Sequence, residues 1–140
     1  MKLSRMYEAD ETGWLEQMSK LISERRYGEL DYQNLGEFLL DMAKRDRREV
    51  FNRLTTLLMH LLKWEFQPRK RSRSWETTIL IQRDDLEDQL ESQTLRNHAL
   101  EVLPKAFARA VRYAAKETGM SQERFPQQCP YTLDDLLSEE

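Results

Sequence analysis

Cysteine is nearly absent from this chain, since Cys129 is the only one in 140 residues. One thiol closes no internal disulfide, and no cysteine–histidine spacing suits a structural zinc. A reducing compartment, the cytoplasm, is the expectation that follows. Glycine and proline number 4 each, so long irregular stretches have few residues to build them. No window approaches the roughly 20 apolar residues that a membrane span needs. Met1 to Glu11 holds no apolar run of signal-peptide length. The net charge is only -3, which excludes a global field strong enough to drive the protein onto nucleic acid or membranes. No stretch alternates apolar and polar residues long enough to make a strand.

What is present is amphipathic helix. Apolar residues make up 39% and charged residues 34%, a mix apolar enough to fold and polar enough to dissolve. The length suits one domain with one core. The fold class read from the pattern is all-α, an antiparallel bundle of about four helices with a docked C-terminal tail and a short terminal helix. Residues 1–9 are expected as a flexible arm, 10–119 as the bundle and 120–140 as the tail. Asp10 is placed to cap a first helix running to about Arg26, with Trp14, Leu15, Met18, Leu21 and Ile22 on one face. Gly28 stands where a helix stop belongs. A second stripe begins after Asp31 with Leu35, Phe38, Leu39 and Met42 and continues through Val50, Leu54, Leu57, Leu58 and Leu61. It is either one helix from about Tyr32 to Trp64 or two, the second capped by Asp46. The lack of glycine or proline between them favours one helix, bent near Lys44–Asp46. Pro68 stops it, and Ser72 or Ser74 caps a third helix carrying Trp75, Ile79, Gln82, Leu86 and Leu90. A fourth run from Leu95 to Ala114 contains Pro104, which either kinks it or opens a separate helix. Gly119 ends it. The tail is stiffened by Pro126 and Pro130, and Thr132 with Asp135 forms a capping box for a last short helix.

Several of these residues together resemble a known family. His60-Leu61-Leu62-Lys63-Trp64, Gln67-Pro68, Arg71-Ser72, Ser74-Trp75, Ile79 and Gln82-Arg83 are similar to the signature of a bacterial family, frequent in cyanobacteria: the domain of unknown function numbered twenty-nine. Trp14-Leu15-Glu16, Leu30-Asp31 and Asn34-Leu35 resemble its opening. Glu117-Thr118-Gly119, Phe125-Pro126 and Cys129-Pro130-Tyr131-Thr132 resemble its close. Where the family often carries Met-Gly in its second helix, this chain has Met42-Ala43. The resemblance implies a small all-α bundle and no particular activity.

The charge is uneven. Lys63 to Arg73 holds five basic residues and one acidic, whereas Glu117 to the end holds Glu117, Glu123, Asp134, Asp135, Glu139 and Glu140 against Arg124 alone. The candidate anion or ligand corner is therefore His60, Trp64, Arg71, Arg73, Ser74, Trp75, Gln82 and Arg83. Guanidinium forks beside a helix start suit a carboxylate or phosphate. Each member also has a plainer reading. His60 is a boundary histidine donating to a carbonyl, Gln82 a buried amide fixing helix register, and Trp64 and Trp75 wedges at the corner. Arg71 and Arg73 would pair with the acidic tail or with Glu37 and Asp41. Cys129 reads as a packed thiol, and the adjacent carboxylates Asp84-Asp85, Glu87-Asp88 and Asp134-Asp135 as solvated faces. No nucleophile elbow, P-loop or dinucleotide fingerprint is present. No catalytic residue, metal ligand or cofactor is assigned. The leading expectation is a non-catalytic interaction or scaffold module whose partner is another protein or a second copy. Binding of a small anion or phosphate ligand at the corner around Arg71 comes second, and nucleic-acid association third.

Overall fold

The structure, a computed structural model, describes residues 2–138. Met1 and the acidic pair Glu139–Glu140 counted above lie outside the described residues. The fold is all-α, with no strand among the described residues. The helices are α1 (Leu3–Ala9), α2 (Glu11–Ser23), α3 (Tyr32–Phe66), α4 (Arg73–Gln89), α5 (Gln93–Thr118) and α6 (Leu133–Leu137). The chain falls into two compact units, Met1–Arg45 and Asp46–Glu140.

In the N-terminal unit, the segment expected as an arm is helical. Leu3, Met6 and Tyr7 lie on one side of α1 and pack against the buried Trp14, Met18 and Leu21 of α2. Asp10 separates the two helices, and its Oδ1 accepts the Gly13 N–H at 3.1 Å. A Cβ on Gly13 would stand 2.5 Å from the Asp10 carboxylate, so a larger residue there would have to displace the capping side chain. The helix ends three residues earlier than its apolar pattern suggests. Arg25, not Gly28, takes the left-handed conformation at φ 59°. The Arg25 N–H then donates to the Ile22 carbonyl and the Arg26 N–H to Leu21, which satisfies two carbonyls that the helix end leaves open. Leu35 and Phe38 of α3 pack on this small core, but Leu39, placed on the same stripe by spacing, is 60% exposed. The three buried side chains of α2 cover only a narrow apolar strip, and Leu39 falls outside it.

Helix α3 runs unbroken through the charged stretch 43–48. Without glycine or proline there, every i→i−4 bond can form. Its later turns carry Val50, Leu54, Leu57, Leu58 and Leu62, all fully buried. In the C-terminal unit, side-chain pairs fix the helix directions. Arg53 reaches Asp85 and Gln89 reaches Glu49, so α4 runs against α3. Arg109 reaches Asn52 and Thr55 while Lys63 reaches Glu117, so α5 runs with α3. Three long segments therefore pack up-down-up around Leu54, Leu58, Leu86, Ala106 and Ala110. The small alanines on α5 let backbones approach closely, while leucines on α3 fill the space. The first of the expected helices belongs to the N-terminal unit and packs in that unit's core. Pro104 lies inside a continuous α5. The carbonyl its ring leaves without a donor belongs to Leu100, which is exposed to solvent. Gly119 closes α5 at φ 73° with its N–H on Ala115.

The tail crosses this bundle. Phe125 is buried and stacks edge-on to Phe66 at 5.2 Å. Thr132 and Asp135 form the reciprocal capping box that their spacing predicts. Leu133 and Leu136 of α6 are buried in the same core.

Candidate functional site

The end of α3 and the tail together build a concavity of about 580 Å³ in the C-terminal unit. Leu61, Trp64 and Glu65 supply one wall. Their three-and-four spacing puts them on one helix face. Arg71 follows the Pro68–Lys70 turn, Arg83 comes from α4, and Tyr131, Asp135 and Ser138 come from the tail.

The two arginines share one arrangement. The Arg71 Nε–H donates to the Trp64 carbonyl at 2.8 Å, and its guanidinium lies over the Trp64 ring, 4.7 Å from the centroid. The Arg83 Nε–H donates to the Leu136 carbonyl at 2.8 Å. Each guanidinium is held by Nε, which leaves its terminal nitrogens to meet a ligand. Neither forms an ion pair among the described residues, so Arg71 does not pair with the described acidic residues of the tail. Stacking on an indole and fixing a guanidinium by its own backbone neighbour both lower the entropy lost when the fork engages an oxyanion.

The carboxylates at the rim have structural duties. Glu65 Oε2 accepts from the Tyr131 hydroxyl at 2.7 Å. Burial, then the hydrogen bond to Glu65, push the Tyr131 phenol well above its ordinary range, so it keeps its proton. Asp135 is held below the usual carboxylate range by the Thr132 backbone N–H and stays ionised. Cys129 donates its S–H to the Tyr131 carbonyl at 3.3 Å, and burial raises its pKa, so the thiolate is disfavoured.

Of the residues singled out by sequence, the structure brings Trp64, Arg71 and Arg83 together on this concavity. His60 is elsewhere: its Nδ1–H donates to the Thr56 carbonyl one turn back at 2.9 Å. Arg73 and Ser74 lie exposed in the first turn of α4, and the cap is Ser72, whose Oγ accepts from the Trp75 N–H. Trp75 is half-buried and receives the Lys63 ammonium, 4.8 Å from its ring centroid. Trp64 is half-buried and packs on the core, and both it and Trp75 present a ring face to a cation. Lys63 leaves the basic cluster altogether, being buried and paired to Glu117 at 2.7 Å. Gln82 faces a separate shallow pocket with Glu49 and Asp85, and its Oε1 is buried without a partner. Periodicity missed Leu61, Glu65 and Tyr131 as site residues. The signal available was the spacing of Leu61, Trp64 and Glu65, and the tyrosine beside Pro130 that pins the tail. Among the described residues no group of three His, Cys, Asp or Glu could hold a metal ion, and no helix is long and apolar enough to cross a membrane.

Comparison with known proteins adds one match. The family described as Domain of unknown function DUF29 matches residues 6–140, and the chain belongs to that family. No curated protein and no solved structure matches it.

Proposed function

We propose that this chain is a non-catalytic binding module that takes an anionic group of its ligand in the concavity between Trp64, Arg71, Arg83 and Tyr131. The observation that carries the reading is the pair of guanidiniums, each fixed through Nε to a backbone carbonyl and each lining the same 580 Å³ space. Forks set in this way match carboxylate or phosphate oxygens two at a time. The titratable neighbours support binding over chemistry. Asp135 is committed to a helix cap and Glu65 to Tyr131, so each is occupied with holding structure.

The test is thermal unfolding in acetate, sulfate and phosphate at constant ionic strength, against chloride. A bound anion stabilises the native state by mass action, by about 2.7 kcal/mol at a hundred times its Kd. The melting temperature should rise in at least one oxyanion, and the rise should vanish in Arg71→Ala. An unchanged melting temperature in all three salts would overturn the reading.

A further inference from the structure

Arg71 is one of four exposed cations within five residues. Arg69, Lys70, Arg71 and Arg73 follow one another within the turn after α3 and the start of α4, with no acidic residue between Phe66 and Trp75. None of the four forms an ion pair among the described residues. In a chain of net charge -3, this is an unneutralised basic strip. The strip also joins two hollows. Arg71 lines the concavity described above, while Arg69 and Lys70 line a second pocket of about 260 Å³ with Phe66, Gln67 and Pro68. The second pocket thus combines two apolar side chains, Phe66 and Pro68, with two cations.

Resting on the anion-site reading above, we infer that the occupant is an acidic peptide segment of a partner protein. It places one carboxylate between Arg71 and Arg83 and an apolar side chain in the Phe66–Pro68 pocket. Further carboxylates lie along Arg69 and Lys70. The choice of carboxylate over phosphate follows from Glu65 and Asp135. Both line the concavity with the two arginines, and their charge opposes a phosphate dianion more than a carboxylate monoanion. The choice of an extended peptide over a small acid follows from the length of the strip. A lone carboxylate uses one end of it and leaves the apolar pocket empty. Nucleic acid fits less well, because in a chain of net charge -3 the strip is a narrow basic surface rather than the broad one a polyphosphate backbone calls for.

The experiment is fluorescence anisotropy of a labelled peptide of alternating glutamate and serine with one central phenylalanine, read at low salt on the intact chain. Arg71→Ala should weaken binding about tenfold, since a charge-assisted fork is lost. Arg71→Lys should recover only part of that, because an ammonium has no fork. Arg69→Ala and Lys70→Ala should each cost roughly two- to fivefold, as exposed ion pairs do. All four side chains are exposed, and circular dichroism melting confirms that the variants fold. Replacing the phenylalanine by serine should also weaken the peptide. If acetate protects the protein but the peptide binds no tighter than acetate, the peptide inference fails and the anion site stands. If neither binds, both fail. A phosphoserine version or single-stranded DNA binding more tightly than the glutamate peptide overturns the choice of partner. A doubled mass by light scattering without peptide, lost in Arg71→Ala, would give the surface to a second copy of the chain and overturn it too.

Discussion

In residues 1–45 the buried apolar side chains are Trp14, Met18 and Leu21, whereas residues 46–140 bury a continuous set from Val50 on α3 to Leu136 on α6. The first core is built around one ring. Trp14 stacks on Tyr7 at 4.7 Å and on Phe38 at 5.9 Å, and its Nε1–H donates to Asp31 at 3.1 Å. The second is built mainly from aliphatic residues, with Phe107 and Phe125, spread over α3, α4, α5 and the tail, and no one of them is central. Burial of a leucine or similar side chain contributes roughly 1.5–3 kcal/mol, so the two units differ in how many such contributions they can lose. Exposed aliphatic side chains do not separate the units, since Ile22, Leu39 and Leu40 in the first and Leu80, Ile81 and Leu100 in the second are all about half exposed or more. A core concentrated on one residue is vulnerable at that residue; a distributed core is not.

The most damaging way to probe this contrast is Trp14→Ala. It should cost about 3–5 kcal/mol and strip hydrogen-exchange protection from α1 and α2 while α4 and α5 keep theirs. Equal loss in α4 and α5 would show that the two cores melt as one and would end the comparison. Leu58→Ala, at a fully buried position, should cost about 2–5 kcal/mol. Here protection should fall in α4 and α5, and urea unfolding should show it.

Smaller changes sharpen the contrast at the helix ends. Thr132→Ala removes half of the α6 capping box and should cost about 1 kcal/mol, read as faster exchange in the tail. The same box sets a pH dependence. The pKa of Asp135 is lowered by its bonds to Thr132, so its contribution is present above the ordinary carboxylate value of about 4 and is lost as pH falls through the depressed one. In Thr132→Ala the carboxyl should titrate closer to that ordinary value by NMR. The smallest effects separate the two helix stops. Arg25 at φ 59° and Gly119 at φ 73° hold the same left-handed conformation. Arg25→Gly should therefore stabilise by about 0.5–1 kcal/mol, and Gly119→Ala should destabilise by a similar amount. If Arg25→Gly destabilises, the side chain contributes something the backbone does not show.

The concavity was legible in part. Trp64, Arg71 and Arg83 stand out because cations and a tryptophan cluster after a proline stop. His60, Arg73, Ser74, Trp75 and Gln82 share that neighbourhood in sequence but do not line the hollow. Nearness along a helix says nothing about which face a side chain takes once neighbouring helices cover the rest. Gln82 turns to the pocket with Glu49, and Lys63 is drawn inward by Glu117 and Trp75. Tyr131 and Asp135 could not be placed at the site from sequence, because they arrive from more than sixty positions away, as the Tyr131–Glu65 bond shows.

The amino-acid pattern alone was enough for the helices after residue 10, for the Asp10 and Thr132 caps and for the unbroken α3, because those depend on bonds and contacts within a few residues: an apolar stripe at three-and-four spacing, Thr132 before Asp135, and no glycine or proline near Lys44. Only the tertiary structure decided that α2 has a separate core, that Arg25 rather than Gly28 turns the chain, and that two arginines are fixed by carbonyls beside one hollow. Those outcomes depend on which surfaces meet, and surfaces meet through contacts between residues far apart in the chain.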